Sequence, residues 1–458
     1  LRRKNYQILN GIWDFAFIEK MEIPESFDKK IKVPFTYETE YSLINQQELH
    51  EYIAYRRKFK VDKANYLLHF EGVDYQTKVF IDRKEVYSHC GAYSPFVIPL
   101  SLDDGEHEIV VLVHDTYNKW QMRGKQRTRG ENYECWYTQF TGIFQDVYFE
   151  KVLFSGDKNG LVAFDIDLKE KADVRISIFQ KETLVDEFVL QGQKHYSGTR
   201  QEKNIELYSH ENPCLYDVKL EIEKEDEVET YFGFRTIENK DGKLFINDKP
   251  LYLRMILNQG YYFKKGVTPE KDDVILDFSL IEKIGFNGIR IHQKQEVNLF
   301  YYIADNLGIY LWSEIPSCYE YSENMKEEVE NEIPQIIEKN FNSPSIITYV
   351  IFNESWGIPE INTNEECQAF VNKSGAEVKK YDSTRLVILN DGWFQLTGTD
   401  ILSLHEYEQN PTALANEYID QENVLKDKII NHYGKAFASG NKYQGQPIIL
   451  SEFGGASL

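Results

Sequence analysis

The sequence predicts a multidomain protein of the β plus α/β class, in which two antiparallel β domains precede a (β/α)8 TIM barrel. Two patterns predict this order. Short segments of alternating apolar and polar residues fill the first half of the chain, and from about residue 236 strand patterns alternate with amphipathic helix patterns. A chain of 458 residues also exceeds the size of one hydrophobic core, so two or three domains are expected.

Residues 1–150 have the pattern of an all-β domain. The segments Leu67–Glu71, Lys78–Ile81 and Glu108–Val113 alternate apolar and polar side chains, and turn signals such as Asp103-Asp104-Gly105 separate them. Many short strands at this spacing predict a β-sandwich or a jelly roll.

Residues 151–235 continue the β pattern, most clearly at Val174–Phe179 and Leu215–Ile222. The length suits one immunoglobulin-like β-sandwich, although the Cys-Trp-Cys signature of antibody domains is missing. The acidic run from Glu221 to Glu229 is expected to form a solvated hairpin.

Residues 236–458 predict the barrel. Asp272–Lys283 has apolar residues at helical spacing and an acidic first turn, and a hairpin is expected at Leu244–Asp248. Because the chain ends shortly after a seventh strand pattern, the sequence predicts a TIM barrel truncated after strand seven. The predicted strands are Tyr252–Ile256, Gly288–His292, Tyr310–Glu314, Ile347–Phe352, Leu386–Leu389, Ile401–Leu404 and Ile448–Ser451.

The composition narrows the range of partners. A formal net charge of −22 and a pI near 5.0 argue against nucleic acid or an anionic membrane as a partner. No run approaches the roughly 20 apolar residues of a membrane span. The five cysteines are scattered without a CxxC pair, which favours reduced thiols and a cytoplasmic location over a disulfide framework or a zinc site. Whether the chain forms a homo-oligomer stays open.

Two glutamates follow predicted buried strands. The apolar stretch Ile346–Phe352 breaks into Asn353-Glu354-Ser355, and Pro447–Leu450 leads into Ser451-Glu452-Phe453. Two glutamates at the carboxyl ends of barrel strands predict a paired-carboxylate site, and glycoside hydrolysis is a common reaction at such a site. The alternative is that each glutamate caps a helix or pairs with a buried arginine.

Other polar and aromatic side chains also stand at the predicted strand ends. Because the carboxyl ends of barrel strands converge on one face, we expect them near the two glutamates. These candidate binding residues are Asn258, Arg290, His292, Glu314, Asn353, Asp391, Trp393, His405 and Tyr407.

Several motifs resemble glycoside hydrolase family 2, the family of β-galactosidases, β-glucuronidases and β-mannosidases. Asn10–Phe15, Phe70–Asp74 and Gly142–Val147 are similar to the family's amino-terminal sugar-binding jelly roll. Asn353-Glu354 is similar to its acid/base motif, and Ser451–Gly454 to its nucleophile motif. The resemblance covers essentially the whole chain and is closest to a β-galactosidase-like member.

The resemblance implies a retaining exo-β-glycosidase that acts on a terminal β-linked sugar, with a β-galactoside favoured. Glu452 would be the nucleophile and Glu354 the general acid/base, while Asn353 would bind the 2-hydroxyl of the sugar. Arg290 is the candidate cation that keeps Glu452 ionised, and its alternative role is a buried ion pair with Glu314.

The remaining candidates have more open roles. Tyr407 could orient the nucleophile, and His405 could either contact sugar hydroxyls or serve the structure. Trp393 could be a sugar platform or simply pack, and Asp391 could bind a hydroxyl. Trp356 is expected to pack under the loop after Glu354.

The chain departs from the family pattern at Glu314-Ile315-Pro316, which lacks the histidine that would complete a magnesium site, so no metal and no cofactor are predicted. Lys294 could face the pocket and suit an acidic sugar, but an exposed lysine is the simpler expectation. Alternatives are a β-glucuronidase, a β-mannosidase, or a non-catalytic carbohydrate-binding protein. The predicted partner is a small carbohydrate or glycoside.

Overall fold

A computed structural model of the chain describes residues 2–3, 7–61, 63–148, 153–222, 226–419, 424–425 and 433–454. It contains two regions of antiparallel sheet followed by a region of parallel strands and helices. No helix in these ranges is both long and apolar enough to span a membrane. All five cysteines are unpaired.

The first region consists of strands of two to ten residues and one 3₁₀ turn at Glu40–Ser42. The strands are β1 (Arg2–Arg3), β2 (Gly11–Phe17), β3 (Lys29–Val33), β4 (Tyr52–Val61), β5 (Ala64–Phe70), β6 (Val73–Asp74), β7 (Gln76–Ile81), β8 (Lys84–Cys90), β9 (Phe96–Leu102), β10 (Gly105–His114), β11 (Gly142–Ile143) and β12 (Val147–Tyr148). The main sheet has the order β3-β2-β4-β10-β7-β8, a second sheet has the order β12-β5-β9, and β11 pairs with β6.

A core of aromatic and branched side chains lies between these sheets. Trp13 and Phe15 of β2, Tyr55 of β4 and Phe70 of β5 are all buried in it. The β7–β8 hairpin turns at Asp82 and Arg83, whose φ angles of +48° and +67° are both left-handed, as a tight two-residue hairpin requires.

The second region is one sheet built around a long hairpin. Its strands are β13 (Leu153–Gly156), β14 (Leu161–Gln180), β15 (Thr183–Gln201), β16 (Tyr216–Ile222) and β17 (Asp226–Phe232), and β1 pairs with β17. The register between β14 and β15 shifts between Asp167 and Val174. On one side of this irregularity β14 pairs with β13, and on the other side with β16, so the two halves can enclose a core that includes Ile166 and Ile176.

The third region begins with a three-stranded meander and continues as a parallel barrel. The meander strands are β18 (Ile237–Lys240), β19 (Lys243–Ile246) and β20 (Lys249–Leu251). The barrel strands are β21 (Met255–Asn258), β22 (Gly288–Ile291), β23 (Tyr310–Glu314), β24 (Ile346–Asn353), β25 (Leu386–Asp391), β26 (Leu402–Glu406) and β27 (Ile448–Phe453). The helices are α1 (Lys271–Ile284), α2 (Asn298–Leu307), α3 (Glu323–Lys339), α4 (Glu365–Tyr381) and α5 (Pro411–Glu417).

The seven barrel strands run parallel. Strands β21 to β25 form one sheet in chain order, β26 pairs with β27, and a bridge between Gly392 and Leu404 connects the two parts. Six of the seven strands overlap the predicted segments closely. The first lies at Met255–Asn258 instead of Tyr252–Ile256, because Tyr252 is exposed in the connection between the meander and the barrel.

The helices pack their apolar faces on this sheet. In α1, Val274, Phe278 and Ile281 are buried, and the helix ends at Gly285 with a left-handed φ of +79°. Strand β24 is buried along its whole length, which explains its continuous apolar sequence. The carboxyl ends of these strands form the rim on which the candidate site lies.

Candidate active site

The predicted strand-end residues meet at the carboxyl ends of six barrel strands, β22 to β27. Arg290 lies on β22, Glu314 ends β23, Asp391 ends β25, His405 lies on β26 and Glu452 lies on β27. Glu354 directly follows the last residue of β24, and its backbone N–H donates to the carbonyl of Asp391 at 2.8 Å.

The two glutamates form a close pair. One carboxylate oxygen of Glu354, one of Glu452 and a ring nitrogen of His405 all lie within 4.8 Å of one another. Retaining glycosidases hold their two carboxyl groups about 5–5.5 Å apart, whereas inverting enzymes need about 6.5–9.5 Å. The nearest oxygens of the two carboxylates thus lie closer together than the separation that an inverting site needs.

The backbone at Glu354 is unusual for its residue type. Glu354 and Ser355 have φ angles of +50° and +61°, in the left-handed region that non-glycine residues avoid. The backbone N–H of Ser355 donates to the side-chain oxygen of Asn390 at 3.0 Å, which helps to hold this turn. Strained residues of this kind concentrate at functional sites, where the surrounding structure fixes a required side-chain direction.

Arg290 is the central cation of the site. Its guanidinium group lies 2.9 Å from Glu314, 2.8 Å from Asp391 and 3.6 Å from Oε1 of Glu452. It is almost fully buried, and the surrounding carboxylates raise its pKa even though burial alone would lower it. Both alternatives for Arg290 thus coexist, because it pairs with Glu314 and also approaches Glu452.

The surroundings of Glu452 keep it ionised. Burial alone would raise the pKa of this carboxyl group, but the charges of His405 and Arg290 lower it to about 2. The Tyr407 hydroxyl also donates a short hydrogen bond to Oε2 of Glu452 and lies 3.4 Å from Oε1 of Glu354. An ionised carboxylate with one oriented oxygen is suited to act as a nucleophile.

His405 lies between three carboxylates. Nδ1 is 2.9 Å from Glu354 and 3.1 Å from Glu452, and Nε2 is 3.3 Å from Asp391. Burial would lower the pKa of this imidazole, but Asp391 and Glu452 raise it to about 9. The ring is therefore an imidazolium at neutral pH, with both nitrogens as donors.

Two candidate residues are supports in this arrangement. Asp391 is fully buried, and the pKa of its carboxyl group is far below the usual value, because the charges of Arg290 and His405 outweigh the effect of burial. Trp393 is also buried, stacked on Tyr433 at 4.9 Å and edge-on to His405 at 5.8 Å.

Asn353 has one free hydrogen-bonding group. Its Oδ1 accepts from Arg290 at 2.7 Å, and among the described residues its buried Nδ2 meets no acceptor. His292 donates toward Glu314, with 3.1 Å between Nδ1 and Oε2. Asn258, at the end of β21, accepts a hydrogen bond on its Oδ1 from the backbone N–H of Gly260 at 2.6 Å.

Lys294 is not an exposed lysine and does not serve the pocket. It is buried, lies 3.0 Å from Glu296, and donates to the carbonyls of Gly260 and Val267. The cluster of Glu354, His405 and Glu452 could geometrically hold a cation, but the imidazolium of His405 opposes one. Glu314, the candidate for a magnesium ligand, is occupied by Arg290 and His292.

The site also contains a segment that the motifs did not reveal. Residues 115–141, between β10 and β11, leave the first domain and lie on the barrel rim. The backbone N–H groups of Arg123 and Gly124 donate to the carbonyl of Ser317, and the Tyr319 hydroxyl donates back to the carbonyl of Gly124. The only signal in the sequence is the length of this connection and its content of Trp, Tyr, Lys and Arg.

A β-rich chain with a parallel barrel and two glutamates close together at its rim has the features of a glycoside hydrolase. The family model described as the TIM barrel domain of glycosyl hydrolases family 2 matches residues 237–458, and a second model, glycosyl hydrolases family 2, matches residues 143–235. The chain belongs to glycoside hydrolase family 2.

The relatives carry different names. A beta-galactosidase of Thermoanaerobacter pseudethanolicus is 25% identical over 404 residues, which is 80% of this chain and 52% of that protein. A beta-glucuronidase of Streptococcus agalactiae is 22% identical over 418 residues, 77% of this chain and 67% of that protein. The chain thus spans about half of the length of the Thermoanaerobacter relative.

The fold is shared with solved structures. A GH2 beta-galacturonidase from Eisenbergiella tayi, bound to galacturonate, superposes with a TM-score of 0.79 at 20% identity, covering 98% of this chain and 81% of that one. A likeness at this identity establishes the architecture of two β domains and a TIM barrel.

Proposed function

We propose that the chain carries the active site of a retaining exo-β-glycosidase that hydrolyses a terminal β-linked sugar by double displacement. The observation that carries this proposal is the pair of Glu354 and Glu452, whose oxygens lie within 4.8 Å. Family membership and the surroundings of each glutamate support it.

In the first step, an oxygen of Glu452 attacks the anomeric carbon while the bond to the leaving oxygen breaks. Glu354, in its protonated form, transfers its proton to that leaving oxygen. The products are the free aglycone alcohol and a glycosyl ester on Glu452. The charges of His405 and Arg290 favour the ionised form of Glu452, which is the form that attacks the anomeric carbon in the first step.

In the second step, water hydrolyses the ester. The Glu354 carboxylate takes a proton from the water while the water oxygen attacks the anomeric carbon. The bond from that carbon to Glu452 breaks, and Glu452 leaves as a carboxylate. The free Nδ2 of Asn353 is placed to donate to the sugar 2-hydroxyl, since Arg290 fixes the other end of the amide. Such a hydrogen bond strengthens in the transition state.

The identity of the sugar is a finer proposal. The sequence favours a β-galactoside, and relatives named beta-galactosidase and beta-glucuronidase match at similar identity. These two substrates differ at C4 and at C6, where one has a hydroxymethyl group and the other a carboxylate.

A panel of nitrophenyl β-galactoside, β-glucuronide, β-galacturonide and β-mannoside, with and without chelator, tests the activity. We expect hydrolysis with retention, observed as initial release of the β-anomer by proton NMR. Glu452→Gln should lower kcat by several orders of magnitude, whereas Glu408→Gln, an exposed glutamate just after the neighbouring strand β26, should not. A fully active Glu452→Gln variant would overturn the proposal, and a sugar that binds without hydrolysis would favour a carbohydrate-binding protein.

A further inference from the structure

Lys125 is a buried lysine on the segment that the first domain contributes to the barrel rim. It is 5% exposed, and its backbone carbonyl accepts from the N–H of Tyr137 at 3.0 Å, which fixes the main chain. The neighbouring Gly124 lies so close to the barrel that an added Cβ atom would be 2.0 Å from the carbonyl oxygen of Gln293. The position of Lys125 on the rim is therefore tightly set.

The side chain of Lys125 ends among aromatic rings. Its Nζ lies 4.8 Å from the ring centre of Trp356 and 5.8 Å from that of Trp136. The two indoles lie 5.5 Å apart, and each is half-buried. The faces of aromatic rings attract a cation, but they do not replace the hydrogen bonds that a carboxylate would accept from it.

Lys125 differs in this respect from every other buried cation of the described ranges. Seven lysine and arginine side chains are buried there, and six of them donate hydrogen bonds to carboxylates, amides or backbone carbonyls. Those six are Arg123, Arg127, Arg235, Arg290, Lys294 and Arg385. Within the same ranges, Lys125 has neither a hydrogen-bond acceptor nor a carboxylate within 4.0 Å.

An unpaired buried ammonium group is costly, and ring faces only partly offset that cost. Most of Lys125 is buried, but its ammonium nitrogen is not completely enclosed and keeps some solvent-accessible surface. A cation held in this way is available to an anion that arrives from outside.

The open end of Lys125 belongs to the same rim as the catalytic pair. Trp356 follows Glu354 by two residues, and its ring lies 6.1 Å from that of His292. His292 in turn contacts Glu314 and Arg290. A sugar between these groups and the two indoles would present its substituents to Lys125.

We propose that Lys125 determines specificity for an acidic sugar, by binding the carboxylate of a uronic acid while the indoles of Trp136 and Trp356 contact the apolar face of the ring. This inference rests on the proposed glycosidase function and narrows its substrate class. It replaces the neutral galactoside favoured by the sequence with a substrate that carries a carboxylate. The ammonium group gains the charged partner that the described residues do not supply.

The test uses matched substrates that differ only at C6, namely nitrophenyl β-glucuronide against β-glucoside and β-galacturonide against β-galactoside. We expect the ratio of kcat/KM for the acidic over the neutral member to fall at least about tenfold in Lys125→Met, since a hydrogen bond between charged groups is lost. Lys125→Arg should retain part of the ratio. Lys119→Met removes the same charge from an exposed position of the same segment and should keep the ratio.

A binding experiment separates this inference from the proposed function. Calorimetric titration of glucuronate, galacturonate, glucose and galactose into the Glu452→Gln chain requires no turnover. Tighter binding of the acids, lost in Glu452→Gln/Lys125→Met, supports the role of Lys125 even if no substrate is hydrolysed. Equal binding of acids and neutral sugars, or an unchanged ratio in a Lys125→Met protein with the wild-type Tm, would overturn it. If Lys125→Met does not fold, the ratio of the affinities for acidic and neutral sugars in the Glu452→Gln chain is used instead, and a ratio near one would overturn the inference.

Discussion

The imidazole of His405 and the carboxylate of Glu452 are in direct contact, with 3.1 Å between Nδ1 and Oε2. The contact joins two groups whose pKa values move in opposite directions, to about 9 for His405 and to about 2 for Glu452. Each charge stabilises the other, so between about pH 2 and about pH 9 the nucleophile is ionised while the imidazole is protonated.

Replacement of His405 by glutamine should change both limbs of the pH dependence of activity. The pKa of Glu452 should rise when the cation is lost, so the acidic limb of kcat/KM should move up by at least about one unit. The basic limb near pH 9 that the imidazole gives the wild type should disappear. Measurement of kcat/KM from pH 3 to pH 10 checks both effects, with His114→Gln, a half-buried histidine of β10 in the first region, as the control. An unchanged acidic limb would show that Arg290 alone sets the charge of the nucleophile.

Removal of the Glu354 carboxyl group should impair the two steps differently. Glu354→Ala should still form the glycosyl-enzyme from a substrate with a good leaving group, because such a group needs no proton. Hydrolysis of the intermediate should be slow, and added azide should restore turnover and yield a β-glycosyl azide. The exposed Glu360→Ala variant, from the same loop, should hydrolyse both kinds of substrate like the wild type, and added azide should not change its turnover. Equal losses for good and poor leaving groups would argue against Glu354 as the proton donor.

A buried carboxyl group between the first domain and α3 should make stability depend on pH. Glu332 accepts hydrogen bonds from the backbone of Tyr93 at 3.3 Å and from the hydroxyl of Ser94, and it is almost fully buried. Burial and the neighbouring Glu328 raise its pKa from 4.5 to about 8. Between these values the folded state binds more protons than the unfolded state, so the stability from this group is lost as the pH rises from about 4.5 to 8.

Glu332→Gln keeps the shape of this group and removes its titration. The Tm of the variant relative to the wild type should therefore increase from pH 5 to pH 8, as measured by circular dichroism at matched ionic strength. Glu327→Gln, an exposed change on the same helix, should give a constant difference. A Glu332→Gln difference that does not vary with pH would mean that the carboxyl group does not retain its proton in the folded state.

Arg235 connects the end of the second β region to the barrel. Its guanidinium group donates to the carbonyls of Pro344 at 2.9 Å, Thr384 at 2.8 Å and Ile346 at 2.8 Å. Arg235→Met should destabilise the chain by at least about 3 kcal/mol, because three buried carbonyls lose their donors. Arg235→Lys should lie between this variant and the wild type, since one ammonium group does not reproduce the planar fork.

The Arg235 prediction is measured by urea unfolding followed by tryptophan fluorescence. Arg175→Met, on an exposed strand position, is the control, and it should change stability by less than about 0.5 kcal/mol. Equal unfolding midpoints for Arg235→Met and the wild type would contradict the structural role.

The strands and the glutamate pair were predictable because both depend on local sequence. A run such as Ile346–Phe352 has one stable environment, a buried parallel strand, and barrel geometry then brings Glu354 and Glu452 together. Their roles as acid/base and nucleophile, and the binding roles of their neighbours, stay predictions that the experiments above test.

The rest depends on tertiary contacts that local sequence does not encode. Lys294 has the pattern of an exposed charge, yet Glu296 and two backbone carbonyls compensate it in the interior. For Trp393 the sequence leaves both a sugar platform and a packing role open, and it does not reveal that Tyr433 stacks on one face of the indole. The docking of residues 115–141 requires a complementary surface at Ser317 and Tyr319. These residues follow Gly124, their contact in the segment, by almost two hundred positions in the sequence.

The docking of residues 115–141 brings side chains from two regions of the chain to one rim. In the proposed site the barrel supplies Glu354 and Glu452, whereas Lys125 and Trp136 come from a region that contains neither of the two glutamates. Substrate preference can therefore diverge through substitutions that leave the chemistry intact. Exchange of residues 115–141 between relatives should therefore change which sugar is preferred. A barrel excised without this segment would keep both glutamates but would lose Lys125 and Trp136, and with them the proposed discrimination between acidic and neutral sugars.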